Sequence, residues 1–275
     1  MSEFEYLNNL SMGQYLPIRS FIHQRDPRAK LIAAALLVFS LTFANLLTGV
    51  GVGLIAVLLL LIFSKIPARY ALRSLLTPLP LLVFLAVLQI FITPHATGAE
   101  PIVRILGIEI FPEGFLSAIL LLMKFLGLIT LFSILSASIS TLELIHGLDL
   151  LLKPLKKFGI HTGAAAMTVQ IVFRFVPFLA ISAERIAKAQ VSRGAEWGSG
   201  RMNLVKKVRQ IVPLLVPLFS SSLRQAETLA DAMLARGYES SHARTSILEF
   251  SFTWVDAGFL LGSGIAALMI VFPII

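Results

Sequence analysis

Two tripeptides of matching chemistry, Ser192-Arg193-Gly194 and Ala235-Arg236-Gly237, lie in the 275-residue chain. Each places a small residue, an arginine and a glycine at the end of a predicted helix. A glycine just past a helix adopts the left-handed conformation that stops it, and a basic residue in the last turn suits the negative end of the helix dipole. Arginine is permanently charged and can grip a carboxylate through two parallel hydrogen bonds. Taken singly, each ending is an ordinary C-cap. Two of them, forty-three residues apart in a basic segment of an otherwise lipid-like chain, point to two arginine-tipped helices presented to something in the cytoplasm.

Other chemistry is thinly represented. None of the 18 glycines is followed by lysine, so the phosphate-cradling loop that ends in Lys-Ser/Thr is absent, as is a Gly-x-Gly-x-x-Gly fingerprint. There is no cysteine, and His23, His95, His146, His161 and His242 show no metal-ligand spacing. A catalytic site, a metal site and a cofactor within the chain are therefore not expected.

The elements that must hold the two tips follow from composition. Hydrophobic residues make up 57% of the chain, charged residues 14%, and the mean hydropathy is +0.87, far from the roughly one-quarter charged content of soluble domains. These values predict an all-α integral membrane protein. The net charge of +8 does not call for nucleic acid, because basic residues of membrane proteins collect in cytoplasmic loops. Residues 1–27 contain Glu3, Glu5, Asn8 and Asn9 and no apolar core, so a cleavable signal peptide is not expected.

Apolar runs predict five spans, at Leu31–Leu47, Val50–Phe63, Leu75–Ile92, Phe115–Ala137 and Phe252–Ile275. Thr48 and a glycine-rich turn at Gly49, Gly51 and Gly53 would separate the first two. Both of these are short against the roughly 20 residues of a spanning helix, so they are tilted, in a thin site, or re-entrant. Pro78 and Pro80 stand near the start of the third run, and Trp254 heads the last, at a position suited to the headgroup region. Arg19, Arg25, Arg28 and Lys30 precede the first run, and Lys65, Arg69 and Arg73 follow the second. The loop after the third has only Arg104 against Glu100, Glu109 and Glu113. The positive-inside rule then puts the N-terminus in the cytoplasm and the C-terminus outside.

This divides the chain into 1–137, with the N-terminal segment and four spans, a cytoplasmic segment 138–251, and a last span at 252–275. The middle segment carries fourteen of the 23 Lys and Arg against eight of the 15 Asp and Glu, and reads as three helices. The first opens with a Ser140/Glu143 capping box and sets Leu144, Ile145, Leu148, Leu151, Leu152 and Leu155 against Glu143, His146, Asp149, Lys153 and Lys156. The second runs from about Thr162 to Arg193. Its stretch 164–181 is apolar enough to span, but only Ile211–Phe219 could return the chain, and that run is too short. The expectation is a helix in the cytoplasm or partly sunk in the interface. The third runs from about Met202 to Arg236, kinked near Pro213 and Pro217. Ala180, Ala183 and Ala187 on the second and Ser222, Ala226 and Ala230 on the third have the spacing that lets two helices cross closely, although alanine also simply favours helix.

Three stretches together carry a family resemblance: Asp26-Pro27-Arg28-Ala29-Lys30-Leu31, then Arg174-Phe175-Val176-Pro177 with Gln190 to Gly194, then Ala230 to Tyr238. In their order and spacing the chain resembles the EcfT/CbiQ-like transmembrane T component of energy-coupling factor (ECF) transporters. That family is the membrane partner of two ABC-type ATPases in vitamin and metal uptake. The resemblance implies that Arg193 and Arg236 dock one each into grooves on the ATPases, which bind the ATP and magnesium. Gly194 and Gly237 would expose the arginines, and Ser192 and Ala235 would be small enough to enter. It also implies a separate membrane-embedded substrate-binding S component, with vitamin uptake favoured over a dedicated cobalt or nickel system. An ion-coupled secondary carrier is the main rival, but this chain has no acidic residue well within a predicted span and no convincing repeat between its halves, both of which such carriers commonly show. Lys124, ten residues into the fourth run, is either functional or a snorkelling or paired lysine. The Gly258 to Gly262 stretch suits close packing against a helix of this chain or of a partner.

Overall fold

A computed structural model of the chain describes residues 16–18, 20–92, 103–105, 108–154, 162–194, 204–238 and 251–272. Among the described residues the regular structure is helical apart from one small hairpin. In chain order they form α1 (Pro27–Phe43), α2 (Leu47–Ser64), α3 (Ala68–Leu76), α4 (Leu79–Ile92), β1 (Val103–Ile105), β2 (Ile108–Ile110), α5 (Pro112–Ser138), α6 (Thr141–Leu152), α7 (Thr162–Ser192), α8 (Leu204–Ala235) and α9 (Trp254–Val271). The strands pair antiparallel with Arg104 opposite Glu109. They occupy the loop after the third apolar run.

The chain divides into two compact units. One comprises 13–151 and 249–275, the other 1–12 and 152–248. In this division α6 belongs with the first unit. Within that unit α1 packs on α9, α5 and α2, while α5 also packs on α2, α3 and α4. Leu37, Leu41, Val50, Val57 and Ile270 are fully buried where these helices meet. Outward-facing Phe39, Phe43, Ile62 and Leu261 are each more than 60% exposed. Helices that are apolar all round, with bulky residues on the outside, are what a lipid solvent selects.

By length and composition α2, α5, α9 and Ala164–Ser192 of α7 can cross a membrane, and α3 with α4 forms a fifth candidate bent by 58°. The bend lies at Thr77–Pro78, where proline restricts the preceding residue and removes a helix donor. The expected boundary between the first two spans is corrected. The break falls at Ala44–Leu46, and Gly49, Gly51 and Gly53 lie inside α2. Gly53 is there for closeness: a Cβ at this position would overlap the Leu41 side chain and stand 3.3 Å from Ile270 Cδ1. Gly258 and Gly262 have no such neighbour. Nothing in the described structure comes within 4 Å of where their Cβ atoms would be.

Lys124 has a partner in its own unit. Its Nζ donates to Thr42 O at 3.3 Å, in the last turn of α1, where carbonyls lack intrahelical donors and the helix dipole is negative. Lys30 does the same at the other end of this antiparallel pair, donating to Ser138 O of α5 at 3.1 Å. Each helix therefore receives an ammonium from its neighbour on its carbonyl end.

Candidate functional site

The second unit contains α7 and α8, which pack on one another, and both end in the tripeptides singled out by sequence. Their terminal geometry is the same. Gly194 and Gly237 have φ of +87° and +71°, the left-handed region that glycine enters without penalty. Gly194 N–H donates to Val191 O and Gly237 N–H to Leu234 O, both at 2.9 Å. Arg193 N–H and Arg236 N–H donate to Gln190 O and Met233 O, both at 3.1 Å. At α8 the pattern closes with Tyr238 N–H on Met233 O at 2.9 Å, which completes a Schellman cap. In each case the arginine is the last half-helical residue and the glycine turns the chain away beneath it.

Ser192, Arg193, Gly194, Ala235, Arg236 and Gly237 are all exposed. Ser192 Oγ donates back to Lys188 O at 3.0 Å. Neither Arg193 nor Arg236 has an ion pair or side-chain hydrogen bond among the described residues, whereas nearby Lys188 pairs with Glu184 one turn earlier. The two guanidinium groups are thus presented with their donors open.

The rows of small residues fare unequally. Ala187 is 4% exposed and Ala183 half-buried, on the covered side of α7. Ala226 and Ala230 are exposed. The half-buried stripe of α8 consists instead of Leu214, Leu218, Ser221, Ser222, Gln225, Leu229 and Met233. Larger side chains at three- and four-residue spacing cover more surface than an alanine row, and they set which face turns inward.

Both long helices also change character along their length. Val169, Val172, Phe173 and Val176 are exposed in the first half of α7, and Val212, Leu215, Val216 and Phe219 in the first half of α8. The second halves expose Arg185, Lys188, Arg224, Glu227 and Asp231. α7 therefore passes from an apolar stretch to a more polar end, and α8, whose sequence opens with Lys206, Lys207 and Arg209, does the same from the apolar stretch around Pro213 and Pro217; both end in arginine and glycine.

A second polar site escaped sequence reasoning. It lies in the first unit, where α1 begins and α5 ends. Asp26 Oδ1 accepts from Arg28 N–H at 2.9 Å and caps α1, with Pro27 as the first helical residue. Lys30, 3% exposed, donates to His23 O at 2.8 Å and Ser138 O at 3.1 Å, and its ammonium stands 3.6 Å from Glu143 Oε2. Glu143 meanwhile forms the expected capping box of α6, with Glu143 N–H on Ser140 Oγ at 3.2 Å and Ser140 N–H on Glu143 Oε2 at 3.4 Å. Asp256 in the first turn of α9, 2% exposed, accepts from Thr253 N–H at 2.9 Å, Thr253 Oγ1 at 2.6 Å and Asp26 N–H at 3.2 Å. Arg25 Nη1 lies 3.5 Å from Asp256 Oδ1, with the Arg25 guanidinium 4.5 Å above the Phe21 ring. The signal available in the sequence was Asp26 to Lys30, quoted there for resemblance alone.

Comparison with known proteins decides the family. A family model described as CbiQ, cobalt transport protein, matches residues 19–247. The chain belongs to this EcfT/CbiQ family. A curated relative from Brevibacillus brevis, "Energy-coupling factor transporter transmembrane protein EcfT", is 38% identical over 257 residues, covering 91% of this chain and 92% of its own. Proteins of the same name from Clostridium kluyveri and Thermosediminibacter oceani are 35% and 31% identical, over 88% and 95% of this chain and 88% and 96% of theirs. The EcfT/CbiQ chain described here is accordingly a multi-pass membrane component of a transporter, rather than an enzyme.

Proposed function

We propose that this family member is the membrane scaffold that couples two ATPase subunits to a separate substrate-binding membrane subunit in vitamin uptake. Its N-terminus faces the cytoplasm and its C-terminus the outside. Arg193 and Arg236, with Ser192, Gly194, Ala235 and Gly237 around them, are the docking points, one for each ATPase. ATP and magnesium are bound by those partners and not by this chain. The observation that carries the proposal is the pair of matching helix ends, each with an exposed arginine whose donors are unused among the described residues. A guanidinium held at a glycine-terminated tip suits a carboxylate in a partner's groove. The exposed apolar stretches of α7 (Val169 to Val176) and α8 (Val212 to Phe219) would meet lipid or the substrate-binding subunit.

A second reading of the cargo has its own support. The matching family model is described as a cobalt transport protein, so a dedicated cobalt or nickel component is the alternative to a vitamin system.

The test is affinity purification of the tagged chain in mild detergent, with mass spectrometry of what accompanies it. Wild type is expected to bring two ATPases and a small membrane subunit, whose identity separates vitamin from metal uptake. Arg193→Glu/Arg236→Glu is expected to lose the ATPases while remaining folded. A chain that transports by itself, or a double variant that keeps both ATPases, would overturn the proposal.

A further inference from the structure

The chain leaves the first unit once and returns once, since residues 152–248 stand between the end of α6 and the start of α9. Both stems of this excursion are fastened to the same few residues where α1 begins. The α6 stem is held by the Lys30 ammonium 3.6 Å from Glu143 Oε2, and the same ammonium also holds Ser138 O, the last helical residue before that stem. The α9 stem is held by Arg25 Nη1 at 3.5 Å and Asp26 N–H at 3.2 Å, both on Asp256 Oδ1. Close packing adds register on the α6 side. A Cβ on Gly147 of α6 would stand 2.9 Å from Pro27 Cβ and 3.1 Å from Leu31 Cδ1, so the helix rests directly on the first turn of α1.

Buried ion pairs are poor stabilisers compared with apolar packing, because desolvation offsets their attraction. In some proteins such pairs instead fix a register between specified partners. We infer that Arg25 and Lys30 are positioning residues. They form a two-armed clamp that pins both stems of the 152–248 excursion to α1, so that a displacement of the excursion is delivered to the membrane bundle instead of being lost in pivoting stems. This rests on the coupling function proposed above.

The chain has no native cysteine, so paired spin labels report on it cleanly. Labels at Leu148→Cys on α6 and Leu261→Cys on α9, exposed by 44% and 69%, would be measured in the full chain in nanodiscs. A single narrow distance distribution is expected for the wild-type background and a broadened one in Lys30→Met and in Glu143→Gln, the latter retaining the shape and capping oxygen of the side chain. In the reconstituted transporter, substrate accumulated per ATP hydrolysed should fall roughly fivefold in either variant. A merely structural role would lower yield or melting temperature and leave that ratio unchanged. Unchanged distances, or broadened distances with an unchanged ratio, would overturn the clamp. If the wild-type chain binds no ATPase, the coupling reading fails, and the distances alone then decide whether the stems are pinned.

Discussion

At the start of α1 every strong charge has its counterpart inside the protein, whereas the tips of α7 and α8 hold arginines that none of the described residues engages. Arg25 and Lys30 side chains are 12% and 2% exposed and face Asp256 and Glu143. Arg193 and Arg236 are exposed on glycine-terminated ends. In the first region a cation is a structural part, and its removal leaves a carboxylate without its cation. In the second, a cation is held out by backbone geometry, and its removal leaves the fold as it was. Basic residues that look alike in composition thus divide by what surrounds them, and a test of either region should leave the other's readout still.

The largest effect is expected at Asp256. Asp256→Ala deletes the acceptor of Thr253 N–H, Thr253 Oγ1 and Asp26 N–H and leaves Arg25 unpaired. Breaking a buried pair from one side costs about 3–5 kcal/mol, so the detergent-solubilised protein should melt well below wild type. Asp256→Asn, which keeps a capping oxygen, should lie between the two. Arg236→Ala should melt with wild type. Equal melting of Asp256→Ala and Arg236→Ala would erase the contrast.

The contrast also shows what could be read from the sequence. Helix ends are local: Arg193-Gly194 and Arg236-Gly237 specify their caps through neighbours within five residues, and both were legible. The apolar runs foretold α1, α2, α4, α5 and α9, and the Ser140/Glu143 box foretold the start of α6. The clamp was not legible, because Asp26 and Asp256 are separated by 230 residues and Lys30 and Ser138 by 108, and no spacing rule spans such distances. Gly49, Gly51 and Gly53 were misread for a different reason. Glycine serves both turns and close helix approaches, and only the position of Leu41 and Ile270 tells that Gly53 serves the second, while a Cβ on Gly51 would meet nothing within 4 Å.

A smaller effect is expected at the tips, where conformation alone is at stake. A Cβ on Gly237 would meet nothing within 4 Å, so the cost of Gly237→Ala is only that of a left-handed residue, about 1–2 kcal/mol. It should fray the last turn without shifting the global melting temperature. Amide hydrogen exchange at Gly237 and Tyr238 should quicken, and Gly237→Asn, which tolerates this region better, should recover part of the protection. Unaltered exchange in Gly237→Ala would show that something other than the glycine ends the helix.

The smallest effect runs the same argument backwards in the first unit. Lys65, exposed at the end of α2, is the non-glycine residue with positive φ among the described residues, at +54°. Its N–H donates to Ile62 O at 3.2 Å, and next to it Ser64 Oγ accepts from Ile66 N–H at 3.3 Å. The turn is therefore fixed by backbone and Ser64, with the lysine side chain contributing strain from its Cβ. Lys65→Gly removes that strain, partly offset by the greater freedom of glycine in the unfolded chain, for a net gain of about 0.5–1 kcal/mol. The melting temperature should rise slightly for Lys65→Gly, with Lys65→Asn between it and wild type. A fall would mean that the Lys65 charge contributes more to this turn than its strained backbone takes away, and that charges in the first unit matter even where no carboxylate meets them.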